Sequence, residues 1–309
     1  MITQSDHLDR IMTKHNRVAN LQVTFVDIEK YSKRRSLTQI EVIDAFTTGF
    51  RNALNETAKH YIEYAQYNDL NFQNDIIVLP TGDGAAAVFS FDGLHDIHLH
   101  FAKMLLKEAH KIRQDSLCEK FSQQGWCHCH ANFNLRVGLP EGKGTIYQDI
   151  NGGYNMAGSV ITLASRVMGL VDSNQIAFTE EAYRHIIDMV DDPYFIDRFV
   201  EFRDVRIKHG LKLSIHQFVD KDLEYLNSDP PSHLAFEKRA SDAIKMVKAS
   251  GFPMPDFEAL DDIDREAQVQ FMENFANLAV QWYGTAGALS QLSSPDTASE
   301  ADVIDAPQD

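Results

Sequence analysis

Two stretches decide how the chain reads: Leu21-Gln-Val-Thr-Phe-Val-Asp-Ile28, and Asp75-Ile-Ile-Val-Leu-Pro-Thr-Gly-Asp-Gly-Ala-Ala-Ala-Val-Phe-Ser-Phe91. The first is rich in β-branched and aromatic residues and has no breaker, so it predicts a buried strand with a carboxylate, Asp27, near its end. The second holds two apolar runs, 75–80 and 85–91, around Thr81-Gly82-Asp83-Gly84. Glycine supplies the positive φ that a tight turn needs, so this is hairpin chemistry with Asp83 at the tip.

Working outward, Thr38 and Glu41 have capping-box spacing, and Ile40, Ile43, Phe46, Phe50 and Leu54 recur as one apolar helical stripe. Residues 94–114 predict a second helix, 132–139 a strand and 158–171 a strongly apolar helix. Strands follow at 175–178, 199–207 and 213–219, with a helix opened by Thr179, Glu180 and Glu181 after the first of them. This order predicts an α+β fold, a ferredoxin-like mixed sheet with helices, over residues 20–220. Residues 1–19 form an N-terminal segment in this reading. Asp229, Pro230, Pro231 and Ser232 punctuate a helical extension, 221–284, whose stripe of Leu260, Ile263, Ala267, Phe271, Phe275, Leu278 and Trp282 should pack on something. Residues 285–309 read as an acidic, disordered tail.

Composition narrows the function. The chain has 309 residues and a formal net charge of −16; residues 252–309 carry 12 acidic side chains against one basic, Arg265. Such a surface repels a nucleic acid polymer, whose affinity comes largely from Lys and Arg on phosphates. A small phosphorylated ligand needs only a local cluster of positive charge or metal. Neither a signal-peptide core nor a run of about 20 apolar residues is present, so cytoplasmic location without a membrane span is expected. Three cysteines, Cys118, Cys127 and Cys129, make no disulfide framework.

A carboxylate closing an apolar strand is costly unless paired, hydrogen-bonded or bound to metal. If the first strand lies beside the hairpin, Asp27 and Asp83 converge as a pair of hard cations would require. Satisfaction of both by backbone amides is the competing reading of these two residues alone. Further on, the strand Arg136-Val137-Gly138-Leu139 is followed by a glycine-bearing loop and then by a helix from Gly158 containing Ala164, Ser165 and Arg166, an arginine whose planar fork suits phosphate oxygens.

Together these blocks resemble the class III adenylyl and guanylyl cyclases. Phe25, Asp27, Ile28 and Tyr31 match the family's first block; Leu79, Gly82, Asp83 and Phe89 match its second, with Leu79 where the family has lysine. Arg136, Gly138, Gly158, Ile161, Thr162, Ala164 and Arg166 match the third, and residues 202–208 look like the strand that brings a phosphate-binding lysine, Lys208. The resemblance implies two divalent ions, Mn2+ or Mg2+, on Asp27, Asp83 and the carbonyl of Ile28. It gives Arg166 the charge developing at the α-phosphate, Lys208 the terminal phosphates, and a homodimer with active sites at the subunit interface.

The departures fall mainly where the base would sit. Leu79 replaces the lysine that reads a purine, Asn155 aligns with its usual aspartate partner, and Thr162 stands for the asparagine that orients the ribose. This combination resembles the pyrimidine cyclases of the Pycsar antiphage system, implying UTP or CTP as substrate. Tyr31 could then close the pocket on the smaller ring, and the Asn155 amide suits either base edge. A purine cyclase and a catalytically inactive nucleotide-binding module are the alternatives. Other features carry less weight: Cys127-His128-Cys129-His130 alternates across two strand faces, His95, His98 and His100 read as partly exposed rather than ligating, and Lys33, Arg34 and Arg35 read as a solvated loop.

Overall fold

The computed structural model describes residues 5–14, 16–115, 133–190, 194–207, 212–235, 247, 265–279 and 281. The chain divides into two compact units, 1–234 and 235–309. In the first, the predicted strand is β1 (Val18–Ile28), followed by α2 (Ser36–His60), the hairpin β2 (Ile77–Pro80) and β3 (Gly84–Phe89), α5 (Ile97–Asp115) and β4 (Leu135–Leu139). These four strands lie in the order β2-β3-β1-β4, and every neighbouring pair is antiparallel. That is the ferredoxin-like core expected from the element order.

The sheet grows to nine strands. β7 (Gln175–Thr179) joins β4 in parallel, and β9 (Lys212–Phe218) and β8 (Phe199–Arg206) add antiparallel beyond it. An additional hairpin, β5 (Glu141–Gln148) and β6 (Tyr154–Ala157), pairs with the first half of β1. The sequence reading took this segment for a glycine-bearing loop. Its signals were present: buried positions alternate along β5, and Asp149 closes the turn by accepting hydrogen bonds from the amides of Asn151 (2.8 Å) and Gly153 (3.1 Å).

Side-chain alternation along β1 sorts the core into two layers. Val26 and Ile28 face a large cluster with Val42, Phe46, Phe50, Phe101 and Leu105 from α2 and α5, joined by Ala182 and Ile186 of α7 (Glu180–Met189). Leu21 and Val23 face the other cluster, with Leu8 and Ile11 of α1 (Asp6–Lys14) and Val160 and Ala164 of α6 (Ser159–Met168). The N-terminal segment therefore contributes a packed helix. Two short helices, α3 (Ile62–Tyr67) and α4 (Phe72–Asp75), complete the path from α2 to β2, so Asp75 ends a helix rather than starting a strand. Its buried carboxylate accepts hydrogen bonds from the Ser5 hydroxyl (2.6 Å) and the Asn71 amide (2.6 Å).

Two local expectations are corrected. α2 starts at Ser36 with Arg35 at its N-cap and no side-chain cap, ahead of the supposed capping box. Ile40 is 56% exposed, because the buried face runs through Val42, Phe46, Gly49, Phe50, Ala53 and Thr57, a phase that leaves Ile40 outside it. In the second unit, α8 (Arg265–Ala279) buries Met272 and Ala276, while Phe271 and Leu278 of the expected stripe are exposed. Trp282, the expected tail and the Cys118–Cys129 region lie outside the described residues. No helix among the described residues is long and apolar enough to cross a membrane.

Candidate active site

β1 is flanked on both sides at Asp27, with Gly84 of β3 opposite on one side and Arg136 of β4 opposite on the other. The hairpin tip is fixed by two backbone hydrogen bonds, from the Ile28 amide to the Asp83 carbonyl (2.9 Å) and from the Thr81 amide to the Gly84 carbonyl (3.1 Å). Glycine is required at position 84, since a Cβ there would lie 2.0 Å from the Val26 carbonyl oxygen. At Gly82 the requirement is conformational, with φ of 93°. These constraints bring Asp83 against the end of β1, beside both Asp27 and the backbone of Ile28.

Asp27 is only 8% exposed. Burial pushes its carboxyl above the usual carboxylate range, Arg136 pulls it back, and Asp83, within hydrogen-bonding reach, pushes it up again. The Arg136 guanidinium donates to one Asp27 oxygen through Nη2 (2.5 Å) and Nε (3.1 Å). The sequence reading singled out Arg136 as part of a motif but not as Asp27's partner, which depends on the register between β1 and β4.

Cross-strand neighbours share a sheet face. Leu79 of β2 pairs with Ala86, Ala86 with Phe25, and Phe25 with Gly138, so Leu79 lies on the face that carries Asp27. α6 packs on that same face, so closely that a Cβ on Gly138 would lie 2.6 Å from both the Ala164 carbonyl oxygen and the Met168 amide nitrogen. The buried side of α6 is Val160, Ala164, Val167 and Met168. Thr162, exposed, and Arg166, half-buried, stand one turn apart on its other side, and Arg166 makes no ion pair among the described residues.

Asn155 lies on β6, which approaches β2, and its side-chain oxygen accepts from the Met156 amide (2.7 Å). Tyr31 is not brought to this group, because it packs against the large cluster on the other face. Lys208 lies outside the described residues. Asp27, Asp83 and the Ile28 backbone thus meet directly; Leu79, Thr162 and Arg166 share or overlie their sheet face.

No protein-family model and no curated protein matches this sequence. Among solved structures the chain is similar to the guanylate cyclase domain of RhGC from Catenaria anguillulae in complex with GTP, with 15% identity, 65% of this chain and 96% of that chain covered, and a TM-score of 0.44. The adenylyl cyclase CyaB from P. aeruginosa gives 21% identity over 66% of this chain and 95% of that chain, with a TM-score of 0.43. An adenylate cyclase from Trypanosoma brucei gives 15% over 70% and 93%, with a TM-score of 0.46. At these identities and TM-scores the likeness says nothing about activity. The architecture itself is α+β, a mixed sheet covered by helices.

Proposed function

We propose that the chain is a class III-type nucleotidyl cyclase that converts a pyrimidine nucleoside triphosphate into its 3′,5′-cyclic monophosphate and pyrophosphate. The observation that carries this reading is the facing pair of carboxylates, Asp27 and Asp83, held by β1 and the β2–β3 hairpin. Hard divalent ions such as Mn2+ or Mg2+ fit these donors, because a buried carboxyl disfavoured as an anion by burial and a like-charged neighbour is relieved by added positive charge. Asp27, Asp83 and the Ile28 carbonyl would hold two such ions. When bound, they supply neutralisation of the triphosphate and favour ionisation of the ribose 3′-hydroxyl.

In the reaction the 3′-oxygen forms a bond to the α-phosphorus, the bond to the oxygen bridging the β-phosphate breaks, and pyrophosphate leaves. Arg136 balances the charge of Asp27 and keeps it aimed at Asp83. Arg166 stabilises the charge growing on the α-phosphate, Thr162 orients the ribose through its hydroxyl, and Lys208 holds the terminal phosphates. Thr162 and Arg166 face away from the core of their own subunit, which supports a homodimer whose sites draw on both copies. Leu79 has no charged group to offer a purine edge, and Asn155 can satisfy either pyrimidine. Resemblance to uridylate cyclases favours UTP over CTP, and a role as a second-messenger synthase in antiviral defence follows from the same resemblance.

The test is incubation of the purified protein with each of the four nucleoside triphosphates and Mn2+, with products resolved by mass. Cyclic product from UTP or CTP alone supports the proposal. Purine product alone, or bound nucleotide without any product, overturns it.

A further inference from the structure

A second cluster of ligating side chains lies beside the middle of β1. Glu141 opens β5 and pairs with Gln22, five residues along the strand from Asp27. At about 3.3 Å per residue this is about 17 Å away, and the odd spacing puts it on the opposite face. Here Glu141, whose side chain is 0% exposed, meets His185 of α7 and His95 of the loop before α5. Three elements distant in sequence thus meet at one carboxylate.

The geometry is not that of a satisfied ion pair. Glu141 Oε1 lies 2.9 Å from His185 Nδ1 and 3.5 Å from His95 Nδ1. Neither ring nitrogen completes a hydrogen bond, and the buried Oε2 has no partner. Asn20 Nδ2 donates to the same Oε1 (2.6 Å), which holds the carboxylate in place. The ligand atoms of His95, Glu141 and His185 all lie within 4.8 Å of one another. A tetrahedral ion with bonds near 2.0–2.1 Å holds its ligands about 3.3 Å apart, so lone pairs that miss one another here suit a common point between them.

The surroundings agree. His98, fully buried with both ring nitrogens unpartnered, stands close enough to feel His95 and His185, and burial first, then those neighbours, pushes it down to about 3, so it brings no competing charge. The rings of His95 and His185 are 23% and 38% exposed, while their Nδ1 atoms are buried against Glu141. The sequence reading set the His95–His100 group aside as partly exposed; the buried carboxylate that organises it comes from β5, a strand that reading missed.

We propose that His95, Glu141 and His185 form a binding site for one divalent transition metal ion of the zinc class, with its remaining coordination position open to water. Two imidazoles and a carboxylate select such an ion over Mg2+, which prefers oxygen donors. The site joins β5, α7 and the loop entering α5, and it is independent of the Asp27–Asp83 pair.

The experiment uses the full chain, stripped with chelator and titrated with Co2+ while its visible absorption is followed. In excess Mg2+, which occupies the Asp27–Asp83 pair, one Co2+ per chain is expected, with its spectrum retained in Asp27→Asn. Affinity should fall at least about tenfold in His185→Ala and in His185→Gln, whose partly exposed position leaves the fold intact by circular dichroism. Absence of saturable binding by the wild-type chain overturns the proposal. So does Co2+ binding in excess Mg2+ that keeps its wild-type affinity in both His185 variants, or that disappears in Asp27→Asn.

Discussion

Replacing Gly138 by alanine tests how the sheet positions the helix that carries Thr162 and Arg166. The added Cβ would lie 2.6 Å from the Ala164 carbonyl oxygen and the Met168 amide nitrogen, against an ordinary contact distance that begins at 3.4 Å. Both atoms are backbone, so no side chain can swing aside, and α6 must rise by roughly 0.8 Å to reach the lower edge of normal contact. Overpacking of this kind costs about 1–3 kcal/mol, which for a unit of this size lowers the melting temperature by about 2–12 °C. A displacement of nearly 1 Å at groups proposed to meet the α-phosphate should lower turnover about 100-fold. Thermal unfolding followed by circular dichroism and cyclase turnover measured on the same preparation read the two effects. Gly82→Ala is the contrast, since nothing lies within 4 Å of its added Cβ and only its φ of 93° penalises it; about 1 kcal/mol is expected. A Gly138→Ala protein that melts and turns over like wild type would refute the claim that backbone contact at Gly138 sets the position of α6.

Further outcomes follow from the same geometry. Asp27→Asn and Asp83→Asn should each abolish cyclic nucleotide formation while the protein stays folded, and turnover retained in either variant would remove that residue from the proposed metal-binding pair. Because burial disfavours the Asp27 anion, Asp27→Asn is also expected to match or exceed the wild-type melting temperature without metal at neutral pH; a loss of several degrees would show that the Arg136 ion pair outweighs that burial. Leu79→Lys should impair pyrimidine use, and an unchanged substrate profile would mean the base sits elsewhere. His98 titrates near 3 when folded but near 6.5 when unfolded, so the unfolded chain binds the extra proton between those values and stability rises with pH across that window. The stability of the chelated protein, read by chemical denaturation, should therefore fall on acidification by up to about 1.4 kcal/mol per pH unit within that window, and His98→Phe should flatten that slope. Identical slopes in the two proteins would show that His98 takes up its proton as readily in the folded chain as in the unfolded one.

Much of this protein was legible before any coordinates, because local pattern carries it. The apolar run ending in Asp27, the Thr81–Gly84 turn and the Thr179 cap, which accepts from the Ala182 amide, identify their elements through side-chain period and turn chemistry. Their order alone predicted the ferredoxin-like core, since a strand, helix, hairpin, helix and strand have few ways to cover one sheet. The candidate metal-binding carboxylates were likewise visible as a strand-end residue and a turn residue.

What the chain's pattern left undecided are the matters set by register and by contacts between distant segments. Arg136 reaches Asp27 only because β4 pairs with β1 in one register and not one residue along, where the guanidinium would emerge on the other face. The β5–β6 hairpin escaped notice because its glycines, which allow β5 to lie against Leu21 and Ala157, read locally as a loop. Glu141, His95 and His185 are separated by tens of residues and share no motif. Their meeting is a product of strand pairing and helix packing, and only the folded chain makes a buried carboxylate face two imidazoles.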